Sequence, residues 1–157
     1  EGLQRQIERE YGLKKAIVVK QTNSKKNDIS KLVGRVWAFY MNLSLPDDYI
    51  FGIGAIEKGT LLSAKLVSAK KLREIRRLGA VGDVLGHCFD KNGNFIKTDL
   101  EERLVSIPIK TLKSVPERIA VVGGEYKVQA IQGALRSSLM TTLVIDDVTA
   151  KKLLTEF

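Results

Sequence analysis

The chain has 157 residues, 44% of them hydrophobic, which is enough for one compact domain with a buried core and too little for two. One cysteine excludes an internal disulfide, and a single histidine excludes a zinc cluster of Cys/His spacing, so neither metal nor cofactor is expected. The net charge of +8 is spread from Lys14 to Lys152 with acidic residues between, a pattern of solvated helix faces rather than of a surface that tracks nucleic acid.

The apolar runs at 17–19 and 119–122 are far too short to span a bilayer, and the polar start at Glu1 is no signal peptide, so a cytoplasmic protein is expected. Because the chain starts without methionine, Glu1 is expected to follow a removed segment, a cloning boundary or a processing site. Along the chain, Leu3, Ile7 and Tyr11 recur at helical spacing over 4–11, and Gly12 is placed to end that helix in the left-handed region. Residues 16–19 read as a strand covered on both faces. A polar loop at 23–27 leads to Asp28, a cap for a long helix carrying Leu32, Val36, Phe39, Tyr40 and Leu43, with Trp37 as a packing anchor. After Pro46 a strand at 49–52 runs into the small-residue turn Gly52-Ile53-Gly54.

Ser68 caps a basic helix that ends at Leu78 and Gly79, and Arg76 and Arg77 complement the dipole of its last turn. A loop at 79–83 brings Asp83 to the start of a strand at 84–89, whose hairpin partner is 95–97 across the Asn92-Gly93 turn. His87 is an ordinary residue of that strand and Cys88 inert packing, since neither has a partner suited to catalysis. Residues 104–109 are extended and interrupted by Pro108. Then come a strand at 118–122, the Gly123-Gly124 turn, a helix at 125–136, a strand at 142–145 and a last helix at 147–155. Alternation of strand and helix predicts an α/β, Rossmann-like parallel sheet flanked by helices, with the 84–97 hairpin as an excursion.

In such sheets ligands bind beyond the carboxyl ends of the strands. The candidate ligand-binding residues are therefore Gly52 and Gly54, Asp83, and Gly123 and Gly124 with Lys127. The glycines allow close backbone approach, a helix start favours an anion, Lys127 adds a cation, and Asp83 can accept from sugar hydroxyls or organise loop amides. A tight strand-to-helix turn remains the structural alternative for Gly123-Gly124.

Gly52-Ile53-Gly54-Ala55-Ile56, then Leu78-Gly79-Ala80-Val81-Gly82-Asp83-Val84-Leu85-Gly86, Phe89-Asp90-Lys91-Asn92-Gly93, Gly123-Gly124-Glu125-Tyr126-Lys127 and Ala130-Ile131-Gln132-Gly133-Ala134-Leu135 follow in order. Jointly they resemble the sugar-binding domain of SorC/DeoR-type transcription regulators, over roughly residues 47–157, with the approach at 11–19 similar as well. The resemblance implies a fold like the sugar-phosphate isomerase and deaminase group, used to sense phosphorylated sugars rather than convert them. It also implies that Asp83 matches an acidic ligand-contacting position, and Lys127 the lysine that contacts the effector and in some relatives forms a Schiff base.

The family has a further strand and a Gly/Ser/Thr-rich phosphate loop where this chain passes from Leu43 through Ser44-Leu45 into Pro46. That departure implies one shortened effector-binding domain over 1–157 with impaired phosphate binding, whether shortened naturally, by design or by excision. No helix-turn-helix is present, so DNA is reached only through a domain absent from this chain. Apolar surface around Trp37, Phe39 and Tyr40 implies a homo-oligomer. Two other readings stand beside the sensor: a sugar-phosphate isomerase or deaminase, and a minimal α/β scaffold or oligomerisation module.

Overall fold

The structure, a computed structural model, describes residues 2–19, 48–59, 67–104 and 106–156. The loop at 23–27, the helix from Asp28 to Leu43 with Trp37, Phe39 and Tyr40, and the passage from Leu43 to Pro46 lie outside the described residues.

Helix α1 (Leu3–Tyr11) ends at Gly12, whose φ of 62° allows its neighbour Leu13 to donate back to the Glu8 carbonyl at 3.0 Å. Strand β1 (Lys15–Val19) follows. Its first buried amide, that of Ala16, donates to the Glu8 carboxylate at 2.8 Å, which ties helix to strand.

Strand β1 belongs to a four-stranded parallel sheet with β2 (Asp48–Gly52), β6 (Glu117–Val122) and β7 (Thr142–Asp146), in the order β1-β7-β6-β2. These are the four strands expected from the sequence. Alternation divides their side chains cleanly. Phe51, Ala120, Val122, Leu143 and Ile145 enter the main core on one face, while Ile119 and Val144 pack with Ile17, Val19, Ile50 and Val121 on the other. Central β7 is buried throughout.

Between the neighbours β2 and β6 the chain makes an excursion. It comprises β3 (Gly54–Ala55), α2 (Ala69–Arg77), β4 (Ala80–Val84), β5 (His87–Asp90), a 3-10 turn (Asp99–Arg103) and α3 (Ile109–Ser114). Strands β3, β4 and β5 form a second, antiparallel sheet in that order. The Ser68 hydroxyl caps α2 by accepting from the Lys71 amide at 3.2 Å. After β6, a 3-10 turn (Glu125–Lys127) precedes α4 (Val128–Arg136), and β7 leads into α5 (Asp147–Thr155). Helix α4 is buried on nearly every side because it fills the space between the two sheets.

The excursion differs from its sequence reading in four ways. Of residues 79–83 only Gly79 is a turn: Ala80, Gly82 and Val84 alternate inward as β4, which packs on α4. The expected strand at 84–89 breaks at Leu85-Gly86, so β4 and β5 are each other's hairpin partners. The expected partner at 95–97 is reduced to one bridge, Phe89 to Phe95, plus an Ile96 amide bond to the Cys88 carbonyl at 2.8 Å. The Asn92-Gly93 turn does form, organised by the Asp90 carboxylate, which accepts from the Asn92 and Asn94 amides at 2.8 and 2.9 Å. Finally, residues 106–108 join no sheet among the described residues. Pro108, at φ −61°, instead opens α3.

Among the described residues no helix is long and apolar enough to cross a membrane, and no group of His, Cys, Asp and Glu is placed to hold a metal ion.

Candidate functional site

The carboxyl ends of β2 and β6 lie level, Gly52 opposite Val121. Beyond Gly52 the chain crosses from the parallel sheet to the antiparallel one within a single residue, Ile53. Gly54 is then paired with Asp83 of β4. A cleft of about 370 Å³ opens at this crossing. Gly52, Ile53, Gly54, Asp83 and Leu85 form one wall. Lys58 and Gly59, with Tyr126 and Lys127 from the turn before α4, complete it.

Four of the six residues selected from sequence thus meet in one cleft: Gly52, Gly54, Asp83 and Lys127. Lys127 is half-buried and its Nζ donates to the Ile53 carbonyl at 3.0 Å. Desolvation pushes its pKa down, and the nearby Asp83 carboxylate partly restores it. Asp83 is pushed the other way: burial raises its pKa, opposed by the Gly86 amide, Lys127 and His87. Its Oδ2 accepts from the Gly86 amide at 3.2 Å, while its Oδ1 lies so close to Gly54 that a Cβ there would stand 2.2 Å away. The carboxylate therefore both organises the loop and faces the cleft.

Gly123 and Gly124 do not line the cleft. The Gly124 amide, expected to be open to an anion, donates to the Thr149 hydroxyl at 2.8 Å and to the Asp146 carboxylate at 3.3 Å. The α-helix proper starts only at Val128, and the Lys127 amide donates to the Gly124 carbonyl at 2.9 Å. The glycine pair is therefore a tight turn, with Gly124 at φ 112°, that places Lys127 rather than a cradle for an anion.

Sequence reasoning missed Lys58, Gly59, Leu85 and Tyr126 in this cleft. Leu85 had a signal: Leu85-Gly86 separates two apolar runs by two residues, as a hairpin turn does. Both take left-handed φ, 54° and 86°, the requirement of a type I′ turn, and a leucine there is strained by about 1 kcal/mol or more. Lys58 had no signal and Tyr126 only its place beside Lys127 in the turn after β6; the fold alone brings the two together.

Other residues hold structural roles. His87 Nε2 lies 3.1 Å from the Ile107 carbonyl, and Cys88 is 1% exposed, its thiol pushed up to about 12 by burial. A second cavity, of about 450 Å³, lies along α2 and is lined by the cations Lys71, Arg77 and Lys97, of which Lys71 is paired with Asp99 and Glu74 at 2.7 and 3.0 Å.

The raised Asp83 pKa has a consequence for stability. A carboxyl whose folded pKa lies above its unfolded value contributes stability that is full below the unfolded pKa and lost as pH rises through the folded one. Asp83→Asn, which cannot ionise, should gain stability relative to wild type as pH rises from about 3 to 7. Thermal melts of both proteins across that range check this. A difference that shrinks with rising pH would reverse the sign.

The sugar-binding-domain family model, Sugar-bind, matches residues 46–155. LsrR, a transcriptional regulator of Escherichia coli O157:H7, is 41% identical over 80 residues, which are 50% of this chain and 25% of LsrR. The erythritol catabolism regulatory protein EryD of Brucella abortus is 33% identical over 106 residues, 67% of this chain and 33% of EryD. The chain thus spans about a quarter to a third of the length of these curated relatives. Among solved structures, a DeoR family transcriptional regulator from Listeria monocytogenes superposes with a TM-score of 0.84 at 16% identity, covering 96% of this chain and 98% of that one. The full-length sorbitol operon regulator SorC from Klebsiella pneumoniae superposes at 0.79 with 15% identity, over 98% and 80%. At that identity the structures establish the fold alone. The sequence match, in contrast, runs across both sheets and the cleft between them to the end of α5, and on it the chain belongs to the sugar-binding-domain family.

Proposed function

We propose that this chain is the effector-sensing domain of a sugar-responsive transcription regulator, and that a phosphorylated sugar binds in the cleft between Gly52, Gly54, Asp83 and Lys127. The observation that carries the reading is the half-buried Lys127 ammonium, set in a cleft against the Asp83 carboxylate and the Ile53 carbonyl. Carboxylate and carbonyl accept from sugar hydroxyls, and the lysine donates to an anionic oxygen. Gly123 and Gly124 act behind the cleft by placing Lys127. With no Gly/Ser/Thr-rich stretch between Leu43 and Pro46, the phosphate relies on lysine and affinity is reduced.

Sensing is favoured over turnover by the match to the sugar-binding-domain family, whose curated relatives LsrR and EryD are regulators. The regulator would act in the cytoplasm as a homo-oligomer and reach DNA through another domain.

Isothermal titration of ribose 5-phosphate, glucose 6-phosphate and fructose 6-phosphate into wild type, Lys127→Met and Lys151→Ala tests the site. Losing a charge-assisted hydrogen bond should weaken the tightest binder by roughly tenfold to a hundredfold in Lys127→Met. Lys151, exposed and paired only with Asp147 at 3.5 Å among the described residues, should be neutral. Equal affinities in all three proteins would remove Lys127 from the site. Conversion of any of the sugars on incubation would favour an enzyme instead.

A further inference from the structure

Two chain segments remote in sequence meet at the mouth of the cleft. Lys58 ends the turn that follows β3, and Tyr126 with Lys127 forms the turn that precedes α4. The Lys58 Nζ stands 5.7 Å from the centroid of the Tyr126 ring and the Lys127 Nζ 5.9 Å from the same centroid. Each separation lies within reach of a cation–π attraction, so one ring holds two ammonium groups beside one opening. Tyr126 is nevertheless 54% exposed, one of the large apolar side chains that the described fold leaves open to solvent.

The charges next to this ring are sorted. Glu57 and Glu125, the sequence neighbours of Lys58 and Tyr126, are both acidic, yet neither lines the cleft. Glu57 is taken by Arg76 at 2.6 Å and Glu125 lies 3.7 Å from Lys152. The mouth thus keeps two cations, with Asp83 the carboxylate on the cleft wall. Two like charges drawn to one ring repel each other, and an anion between them relieves that repulsion. The ring itself offers an electron-rich apolar face, which suits the apolar, positively polarised C–H face of a sugar.

Resting on the reading of this cleft as an effector site, we propose that Lys58 and Tyr126 form a second subsite at its mouth, where the Tyr126 ring packs on the C–H face of the sugar and Lys58 joins Lys127 in bracketing one anionic substituent. The ligand class is a sugar bearing an anionic group, either a phosphate monoester or a carboxylate. This subsite decides which sugar is accepted, because the ring senses the shape of the C–H face and the lysine pair requires the charge.

The test is calorimetric titration of the full chain with ribose 5-phosphate, glucose 6-phosphate and fructose 6-phosphate, their neutral parent sugars, and gluconate. Lys58→Gln should weaken the tightest anionic probe about tenfold while leaving its neutral parent unchanged, and Lys58→Arg should retain affinity. Tyr126→Ala should weaken charged and neutral probes alike by about threefold to tenfold, whereas Tyr126→Phe keeps the ring and the affinity. Lys58→Gln losses on gluconate but not on the phosphates would assign the anion as a carboxylate, and the converse as a phosphate. Both side chains are exposed, and melting curves are to be recorded to check that the variants remain folded. Unchanged affinity in Lys58→Gln and Tyr126→Ala, with loss in Lys127→Met, overturns the subsite and leaves the effector site standing. Failure of wild type to bind any probe overturns both.

Discussion

Asp146→Ala is expected to lower the unfolding free energy by about 3 kcal/mol, because one buried carboxylate joins three pieces of backbone and side chain. Asp146 is 3% exposed at the end of β7. Its Oδ1 accepts from the Thr149 amide at 2.8 Å, which caps α5, and its Oδ2 accepts from the Thr149 hydroxyl at 2.6 Å and the Gly124 amide at 3.3 Å. Losing such a cap costs about 1 kcal/mol, and leaving buried donors without an acceptor adds about 1–3 kcal/mol. Urea unfolding measures the difference, with Asp147→Ala as a comparator. Asp147, 20% exposed, pairs with Lys151 at 3.5 Å, and its loss should cost less than the loss of Asp146. If the two variants were equally stable, the carboxylate would not be the clasp between the Gly123-Gly124 turn and α5. The turn carries Lys127, so Asp146→Ala should also weaken sugar-phosphate binding without touching the cleft.

Gly54→Ala should damage both stability and binding. The backbone of Gly54 has no conformational need for glycine, since its φ is not in the left-handed region; the need is for space. A Cβ would stand 2.2 Å from Asp83 Oδ1 and 3.1 Å from its Cγ, and the carboxylate cannot swing away without giving up the Gly86 amide. Overpacking of this kind costs about 1–3 kcal/mol, and displacing Asp83 should weaken sugar-phosphate binding by at least roughly tenfold. A double-mutant cycle isolates the cause. In an Asp83→Ala background the clash is gone, so Gly54→Ala should cost at least about 1 kcal/mol less than it does in wild type. Equal costs in the two backgrounds would show that the added methyl disturbs something other than Asp83.

Much of the architecture was legible as local pattern. The strands β1, β2, β6 and β7 announce themselves by apolar runs bounded by turn residues, Gly12 by its place after a helical repeat, and Ser68 by preceding one. These features depend on neighbours a few residues away, so sequence spacing contains them. Even the cleft was partly legible, since Gly52 and Gly54 follow a strand and Asp83 and Lys127 carry chemistry beside glycines. The resemblance carried by these motifs agrees with the family match over residues 46–155.

What the tertiary structure decided is everything that joins distant residues. The strand order β1-β7-β6-β2 pairs segments far apart in the chain, and no local propensity selects it. The β4–β5 hairpin was misplaced because its turn puts Leu85 at φ 54°, a conformation its own chemistry disfavours; the Asp83 bond to the Gly86 amide and the Leu104 side chain packed against Gly86 hold it there. Likewise, the Gly124 amide looked open from sequence, yet its partners Asp146 and Thr149 arrive from 22 and 25 residues away. Lys58 and Tyr126 meet across two loops with no periodicity to relate them. Backbone geometry and capping are short-range and therefore written in the sequence, whereas the partner of a buried polar group is whatever the packed chain brings within 3 Å or so of it.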